Sequence, residues 1–286
     1  MEKTLDELDI FAAQIRKAAL AAMNSFHGGH LGGSMSMADL LAALYGKIMR
    51  INPQDPQWNK RDWLVVSKGH CGPAVYAVLA LCGYFPEKEL LTLNQGGTCL
   101  PSHCDRNKTP GIDMTTGSLG QGFSSACGIA WGMQYKGMPN YVYAILGDGE
   151  CDEGQVWETA LFAASKKLNH FIAFIDQNGK QLDGYTRDIC DLGDLGAKFR
   201  DFGWYAQEVN GHDISAILSA VDAAKAVDDR PSMIVLHTMK GQDCCFAEHM
   251  FYNHFIRFTQ EQYEEAIAFL DKKIEALQSE DGKCIQ

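Results

Sequence analysis

Two short polar segments, each directly after an apolar run, carry residue types that hold a cation and a phosphate. The first segment is Gly147-Asp148-Gly149, and the second contains Asn178. Glycine lets a backbone approach a phosphate closely, and amides at the start of a helix donate hydrogen bonds to it. Carboxylate and amide oxygens are ligands that Mg²⁺ accepts. Asp-Gly pairs are also ordinary turn residues, so the first segment alone is weak support.

The spacing of the two segments strengthens the prediction. Asn178 lies thirty residues after Asp148, which is about the length of one strand–helix–strand unit. Because neighbouring parallel strands end at the same edge of a sheet, the two side chains are expected to lie together. Mg²⁺ prefers six oxygens and keeps phosphates among them. A backbone carbonyl and two diphosphate oxygens would nearly complete such a shell.

Apolar runs predict the strands that would position these residues. They show no strict alternation, as expected for strands covered on both faces. Helical stretches separate the strands, so we predict the α/β class, with a doubly wound, mostly parallel sheet flanked by helices. The predicted strands are 63–66, 141–146, 171–176, 204–209 and 233–237.

Helical periodicity accounts for most of the remaining chain. A first helix carries apolar residues from Leu8 to Ala22, a glycine-dense break follows at 27–33, and a second helix is predicted at about 37–49. The uncharged stretch 69–86 indicates a buried helix rather than a membrane span. An amphipathic helix is expected at about 259–279. No linker or repeat is visible, so 1–286 is predicted to be a single domain.

Composition excludes several classes of function. A net charge of −11 argues against nucleic acid and against an anionic membrane surface. The ten cysteines include no C-x-x-C pair and suit a reducing cytosol, and the acidic N-terminus is neither a signal nor a transit peptide, so a cytoplasmic protein is expected. Cys99, His103 and Cys104 are close enough to raise a metal site, but no fourth ligand is indicated.

Four of the nine histidines lie in glycine-rich or polar segments. His30 lies in GGHLGG, His70 in SKGH, and His103 in LPSHC, while His254 follows Lys240 by fourteen residues. A single such histidine is more often a polar residue near a surface. Imidazoles also move protons at neutral pH, so several histidines at one site would indicate acid–base chemistry.

The chain from its first helix to about His254 resembles the N-terminal half of transketolases, and GDGE followed by Asn178 resembles the thiamine-diphosphate signature. The resemblance implies the diphosphate-binding domain of the thiamine-diphosphate-binding fold. It implies Mg²⁺, or Ca²⁺ or Mn²⁺ in substitution, held by Asp148, Asn178 and the Lys180 carbonyl. It also implies contacts with thiamine diphosphate from Lys68, His70, Gly117, Ser118, Leu119, Gly149, Glu150, Asn178, Lys240 and His254.

The same resemblance implies roles for further residues. The catalytic histidines facing the substrate would be His30, His103 and His254, while Glu153 and Glu158 would be carboxylates at a dimer interface. Ordinary helix-start charge is the simpler explanation of these two glutamates. The chain departs from the family pattern at Leu31, Asn253, Phe255 and 242–245. These departures bear on the position of His254 and on the choice of substrate.

The implied function is that of the N-terminal subunit of a split transketolase, which moves a two-carbon ketol unit between sugar phosphates. A separate C-terminal subunit, with a pyrimidine-binding domain and a C-terminal domain, would complete an α₂β₂ enzyme and supply the glutamate that activates the cofactor. One alternative is a specialised transketolase for a branched or otherwise unusual sugar phosphate. Another is a non-catalytic, cofactor-binding regulatory subunit. The α subunit of a 2-oxo acid dehydrogenase fits the histidine segments less well.

Overall fold

A computed structural model describes residues 2–281 and shows one sheet of five parallel strands. The strands are β1 (Trp63–Val66), β2 (Val142–Gly147), β3 (Phe171–Gln177), β4 (Tyr205–Asn210) and β5 (Ser232–His237). Their order across the sheet is β1-β2-β3-β5-β4, so β3 is central. In the register, Gly147 at the end of β2 lies opposite Asp176 of β3, which in turn lies opposite Leu236 of β5.

Helices connect the strands and cover both faces of the sheet. They are α1 (Leu5–Asn24), α2 (Leu31–Ser36), α3 (Ala38–Ala43), α4 (Gly72–Leu81), α5 (Gln121–Tyr135), α6 (Gly154–Ser165), α7 (Thr186–Ile189), α8 (Leu195–Asp201), α9 (Ile214–Lys225) and α10 (Gln260–Asp281). At the start of several helices, side chains accept hydrogen bonds from the free backbone amides. Thr4 and Glu7 form a capping box at the start of α1, and the Asp213 side chain accepts from the Ala216 amide in the first turn of α9.

Alternate residues of the strands enter two different hydrophobic cores. Ile145 and Phe174 pack with α1, α3, α4, α9 and α10 on one face of the sheet. Ala144 and Ile175 pack with α5, α6 and α8 on the other face. Both faces of the central strands are therefore buried, which explains why their sequences are apolar without alternation. The edge strand β4 is the exception, with mostly half-buried side chains.

The predicted α/β class and doubly wound parallel sheet are confirmed, and each strand lies within one residue of its predicted bounds. The second predicted helix appears as α3 followed by a π-helical turn at Leu44–Ile48. The predicted glycine-dense break at 27–33 was wrong at its end, where residues 31–33 are helical. Helix α2 begins there, because Gly32 and Gly33 are buried against other segments of the chain rather than exposed as in a loop.

The tail forms α10, which packs against α1. The ends of the predicted 1–286 domain, residues 1 and 282–286, lie outside the described residues, so the single domain stays a prediction. None of the helices within 2–281 combines the length and the hydropathy needed to cross a bilayer.

Candidate functional site

A cleft of about 230 Å³ opens where neighbouring strands of the sheet end. The segments that follow β1, β2, β3 and β5 each contribute to it, which is the usual place for a ligand in an open parallel sheet. The predicted site residues that line it are Lys68, His70, His103, Gly117, Leu119, Asp148, Gly149, Glu150, Asn178, Lys180, Lys240 and His254.

The predicted metal ligand Asp148 joins the segments after β2 and β3 directly. Asp148 Oδ1 accepts a hydrogen bond from the Gly149 amide at 2.9 Å, and its Oδ2 accepts from the Gly179 amide at 2.6 Å. Asn178 Oδ1 accepts from the Lys180 amide at 3.1 Å. The spacing in the sequence had predicted this meeting of Asp148 and Asn178 at one cleft.

Burial and charge shift the pKa values of two groups here in opposite directions. Burial, and then the charge of Asp176, raises the pKa of Asp148 to about 6. Burial, and then the charge of Lys68, lowers the pKa of Lys240 to about 8. Lys240 Nζ donates to the Lys180 carbonyl oxygen at 2.9 Å, so that carbonyl already has a cation against it.

The donor set fits a hard cation shared with an anionic ligand. Asp148, Asn178 and the Lys180 carbonyl offer only oxygen, as Mg²⁺ and Ca²⁺ prefer. Within residues 2–281 no group of three or more His, Cys, Asp or Glu side chains could hold a metal ion. A cation at this cleft would therefore need further oxygens from its ligand, and the alternative site at Cys99, His103 and Cys104 finds no support in the described chain.

Glu150 and Gly149 hold the wall of the cleft in shape. Glu150 is 2% exposed, and its carboxylate accepts from the Gly120 amide at 2.8 Å, the Gly147 amide at 3.0 Å and the Ser67 hydroxyl. Its hydrogen bonds thus go to the protein, although it borders the cleft. At Gly149 an added Cβ would lie 2.6 Å from the Cβ of Gln181, so the close approach of the two loops requires glycine.

The two buried lysines of the cleft, Lys68 and Lys240, have different electrostatic surroundings. Lys68 is 1% exposed and forms an ion pair with Asp176, which compensates its charge. Lys240 is 4% exposed, and no carboxylate of the described residues lies within 4.0 Å of its ammonium group. Lys240 is therefore the buried cation of this cleft that an incoming anion can neutralise.

Four histidines from distant segments meet at the other side of the cleft. The ring centroid of His30 lies 5.8 Å from that of His70, 5.2 Å from that of His103 and 5.3 Å from that of His254. The rings of His70 and His254 are 4.6 Å apart. Burial first, and then the charges of His103 and Lys240, lowers the pKa of His30 to about 4. Burial and then Lys240 lowers the pKa of His254 to about 3, so the imidazoles of His30 and His254 are neutral at pH 7.

The residues around His254 that depart from the family pattern hold its loop in place. Asn253 is 1% exposed, and its Nδ2 donates to the Lys240 carbonyl at 2.8 Å and to the Ala247 carbonyl at 3.0 Å. The Phe255 ring stands perpendicular to the His30 ring with centroids 5.1 Å apart. His254 thus lies in the histidine cluster between Asn253, which anchors the loop, and Phe255, which packs against His30.

Four predicted residues lie outside the cleft lining. One is His30, whose ring stands beside those of His70, His103 and His254. Ser118 is exposed beside Gly117. Glu153 precedes α6 and Glu158 lies within it, and both are exposed. The role of these two glutamates at a dimer interface stays a prediction.

Sequence reasoning missed three residues at the cleft. Gln181 and Leu182 line it, and Asp176 lies behind it, fully buried, at the end of β3. An aspartate inside an apolar run was the available signal for Asp176, because a carboxylate is rarely buried without partners. Gln181 and Leu182 are loop residues whose types indicate nothing about position.

Comparisons with known proteins agree with this geometry. The family described as "Transketolase, thiamine diphosphate binding domain" matches residues 9–255. The chain is 52% identical over 259 residues to the 6-deoxy-6-sulfo-D-fructose transketolase subunit SqwG of Clostridium sp. (strain MSTE9), covering 91% of this chain and 94% of that protein. It is 32% identical to an apulose-4-phosphate transketolase subunit of Phocaeicola vulgatus, covering 97% of this chain and 99% of that protein.

Longer proteins match over part of their length. Transketolase 1 of Escherichia coli is 35% identical over 242 residues, which are 80% of this chain and 36% of that protein. Among solved structures, a transketolase from Pichia stipitis superposes with a TM-score of 0.85 at 29% identity, covering 97% of this chain and 46% of that one.

Proposed function

This chain belongs to the transketolase family as a thiamine-diphosphate-binding domain, and we propose that it is the N-terminal subunit of a split transketolase. The enzyme would transfer a two-carbon ketol unit from a ketose phosphate to an aldose phosphate. The observation that carries the proposal is one cleft in which the oxygens of Asp148, Asn178 and Lys180 lie beside four clustered histidines.

The side of the cleft formed by Asp148, Glu150, Asn178, Lys180 and Lys240, which we name the strand-end half, would hold the cofactor's diphosphate. Asp148, Asn178 and the Lys180 carbonyl would bind Mg²⁺, and the Lys240 ammonium would neutralise part of the remaining negative charge. Thiamine diphosphate supplies the electron sink of the reaction when it is bound. The contribution of this half is to bind and orient.

The side formed by His30, His70, His103 and His254, which we name the histidine half, would handle the sugar's hydroxyl and carbonyl oxygens. Neutral imidazoles both donate and accept hydrogen bonds, so they can orient a hydroxyl and take its proton. The lowered pKa values of His30 and His254 support this role, since a permanently protonated ring could not accept a proton.

A separate C-terminal subunit is the proposed partner, in an α₂β₂ assembly. Two relatives that are named as subunits match this chain over nearly their whole length, whereas the E. coli transketolase is matched over 36% of its length. The partner would complete the cofactor site and hold the phosphate of the sugar. The exposed Glu153 and Glu158 remain the proposed carboxylates of a dimer interface.

A specialised donor sugar is the second candidate, and one comparison favours it. The relative that is 52% identical along 91% of this chain is named for 6-deoxy-6-sulfo-D-fructose. A second relative of similar coverage is named for apulose 4-phosphate. Asn253, which anchors the loop of His254, and Phe255, whose ring packs against His30, are the departures nearest the histidine half.

The test is to co-purify the chain with the product of the neighbouring gene and to assay the complex with thiamine diphosphate and Mg²⁺. Fructose 6-phosphate, 6-deoxy-6-sulfofructose and apulose 4-phosphate would be offered as donors with glyceraldehyde 3-phosphate as acceptor. Xylulose 5-phosphate would be offered with ribose 5-phosphate, because its own transfer to glyceraldehyde 3-phosphate would regenerate the substrates. Ketol transfer by the complex, but by neither of the separated proteins, is the expected result. Turnover by the chain alone would contradict the split enzyme, and cofactor binding without transfer from any donor would favour the regulatory subunit.

A further inference from the structure

Asp176 is the most deeply buried carboxylate near the cleft, and the proposed mechanism does not use it. It is 0% exposed and lies in β3, the central strand, one residue before the strand ends. A buried charge is costly unless it is paired and hydrogen-bonded, so its partners define its role.

Four segments of the chain converge on this carboxylate. Its Oδ2 accepts from the Ser36 hydroxyl at 2.8 Å, from Asn178 Nδ2 at 2.9 Å and from the Lys68 ammonium group. Its Oδ1 accepts from the Thr238 hydroxyl. The partners therefore come from the end of α2 and from the segments that follow β1, β3 and β5.

The bond from Asn178 to Asp176 acts with the Lys180 amide to set which way the Asn178 amide faces. Nδ2 donates to Asp176, so Oδ1 is turned toward the Lys180 amide and the cleft. An amide group has nearly the same shape when flipped, and only its hydrogen-bond partners distinguish the two orientations. The flipped amide would set Asn178 Oδ1 against the oxygens of Asp176, where two acceptors repel each other.

We infer that Asp176 is a positioning residue, which orients the Asn178 amide so that its oxygen, rather than its nitrogen, faces the bound cation. The inference rests on the proposed function, because the orientation of Asn178 Oδ1 matters only if that oxygen binds the cation. Partners behind a metal ligand commonly matter in this way, and their loss costs about 10–100-fold in metal affinity.

The simpler alternative is that Asp176 serves only as the counter-ion of Lys68. Both are almost fully buried, and removing one partner of such a pair is destabilising whatever the cleft binds. A test must therefore separate metal binding from folding. The two oxygens of Asp176 allow this, because Thr238 bonds to Oδ1 and Asn178 to Oδ2.

The experiment measures the Mg²⁺ concentration that half-saturates thiamine diphosphate binding, by quenching of intrinsic fluorescence in the full chain with its partner subunit. Asp176→Asn should raise this concentration about 10–100-fold. Thr238→Val, which removes the hydrogen bond to the other oxygen, should change it less than about threefold. The double variant Asp176→Asn/Asn178→Asp exchanges donor and acceptor, and it should recover most of the loss because both oxygens of a carboxylate can bind the cation.

The outcomes separate the two explanations. Equal half-saturating Mg²⁺ concentrations in wild type and Asp176→Asn, or a double variant that binds Mg²⁺ no better than Asp176→Asn, would overturn the positioning role.

A second variant serves if Asp176→Asn does not fold. Asp176→Glu keeps the charge beside Lys68 but displaces the oxygen that orients Asn178. It should then lose about tenfold in Mg²⁺ affinity while still unfolding cooperatively, and unchanged affinity would overturn the inference. Absence of Mg²⁺-dependent binding in the wild type would instead refute the proposed function.

Discussion

The strand-end half and the histidine half of the cleft differ in how completely the chain satisfies their polar groups. In the strand-end half, the carboxylates of Asp148 and Glu150 each accept hydrogen bonds from backbone amides. In the histidine half, His254 Nδ1 is buried and has no hydrogen-bond partner in residues 2–281. Asn253 Oδ1, next to it in the chain, is in the same situation.

This difference indicates a division of labour. A hydrogen-bond network whose groups are all paired is rigid and suits binding. A buried polar group without a hydrogen-bond partner is costly, and such a group is suited to contact a bound ligand. Gln181 Oε1 is the exception on the strand-end side, since it too is buried without a partner in the described chain. Its position in the cleft suits a contact with the cofactor.

The largest effect is expected from removing the carboxylate of the strand-end half. Asp148→Ala should weaken thiamine diphosphate binding at saturating Mg²⁺ by more than about 100-fold, because a direct ligand matters more than the residues behind one. A fluorescence titration with thiamine diphosphate measures this. Asp228→Ala, at an exposed position, is the control. Equal affinities of the two variants would show that the strand-end half is not the cofactor site.

The histidine half should respond in turnover rather than in binding. His254→Ala is expected to leave thiamine diphosphate affinity within about fivefold and to lower kcat about 10²–10⁴-fold, the usual worth of an acid–base group. Steady-state kinetics of the reconstituted complex, with the cofactor affinity measured separately, test this. His249→Ala, five residues earlier and exposed, is the matched control. If His254→Ala lost only cofactor affinity and kept its kcat, the proposed difference in role between the two halves would be contradicted.

The rigidity of the strand-end half depends on Glu150. Glu150→Gln replaces an acceptor with an NH₂ group that would face the donors from Ser67, Gly120 or Gly147. The free energy of unfolding should fall by about 1–3 kcal/mol, as measured by urea denaturation. Glu275→Gln, on the exposed side of α10, should change it by less than about 0.5 kcal/mol. Similar values for both would mean that the network adds no stability.

The last prediction concerns the loss of folding stability at low pH. The pKa of His254 in the fold is about 3, below its ordinary value of 6.5. As the pH falls below 6.5, the unfolded chain binds a proton there that the folded chain does not, so stability is lost between about pH 6.5 and pH 3. His254→Asn should lose less than wild type when urea denaturation at pH 7 is compared with pH 4.5. An identical loss would contradict the lowered pKa.

Much of the fold follows from the sequence because its strands are strongly apolar. Strands such as β2 and β3 are covered on both faces, and their apolar runs have few competing interpretations. Helix α2 was missed because Gly32 and Gly33 are typical of loops. Their burial depends on contacts with Asn253 and Lys68, far away in the chain, which no local pattern contains.

The site divides in the same way. Asp148 and Asn178 follow successive strands, so chain spacing alone could predict that they meet. The histidines are up to 224 residues apart in the chain, and only the family resemblance brought them together beforehand. Neither approach predicted that Lys68 would be paired with Asp176, because that contact depends on the register of β3 against its neighbours.

The most direct measurement is a crystal structure of the chain with its partner subunit, thiamine diphosphate and Mn²⁺ in place of Mg²⁺, in which anomalous scattering locates the metal. The account predicts one manganese peak in the strand-end half, within about 2.0–2.3 Å of Asp148, of Asn178 Oδ1 and of the Lys180 carbonyl oxygen, with diphosphate oxygens completing the shell. A peak elsewhere, or a bound cofactor whose diphosphate lies away from these three oxygens, would contradict it.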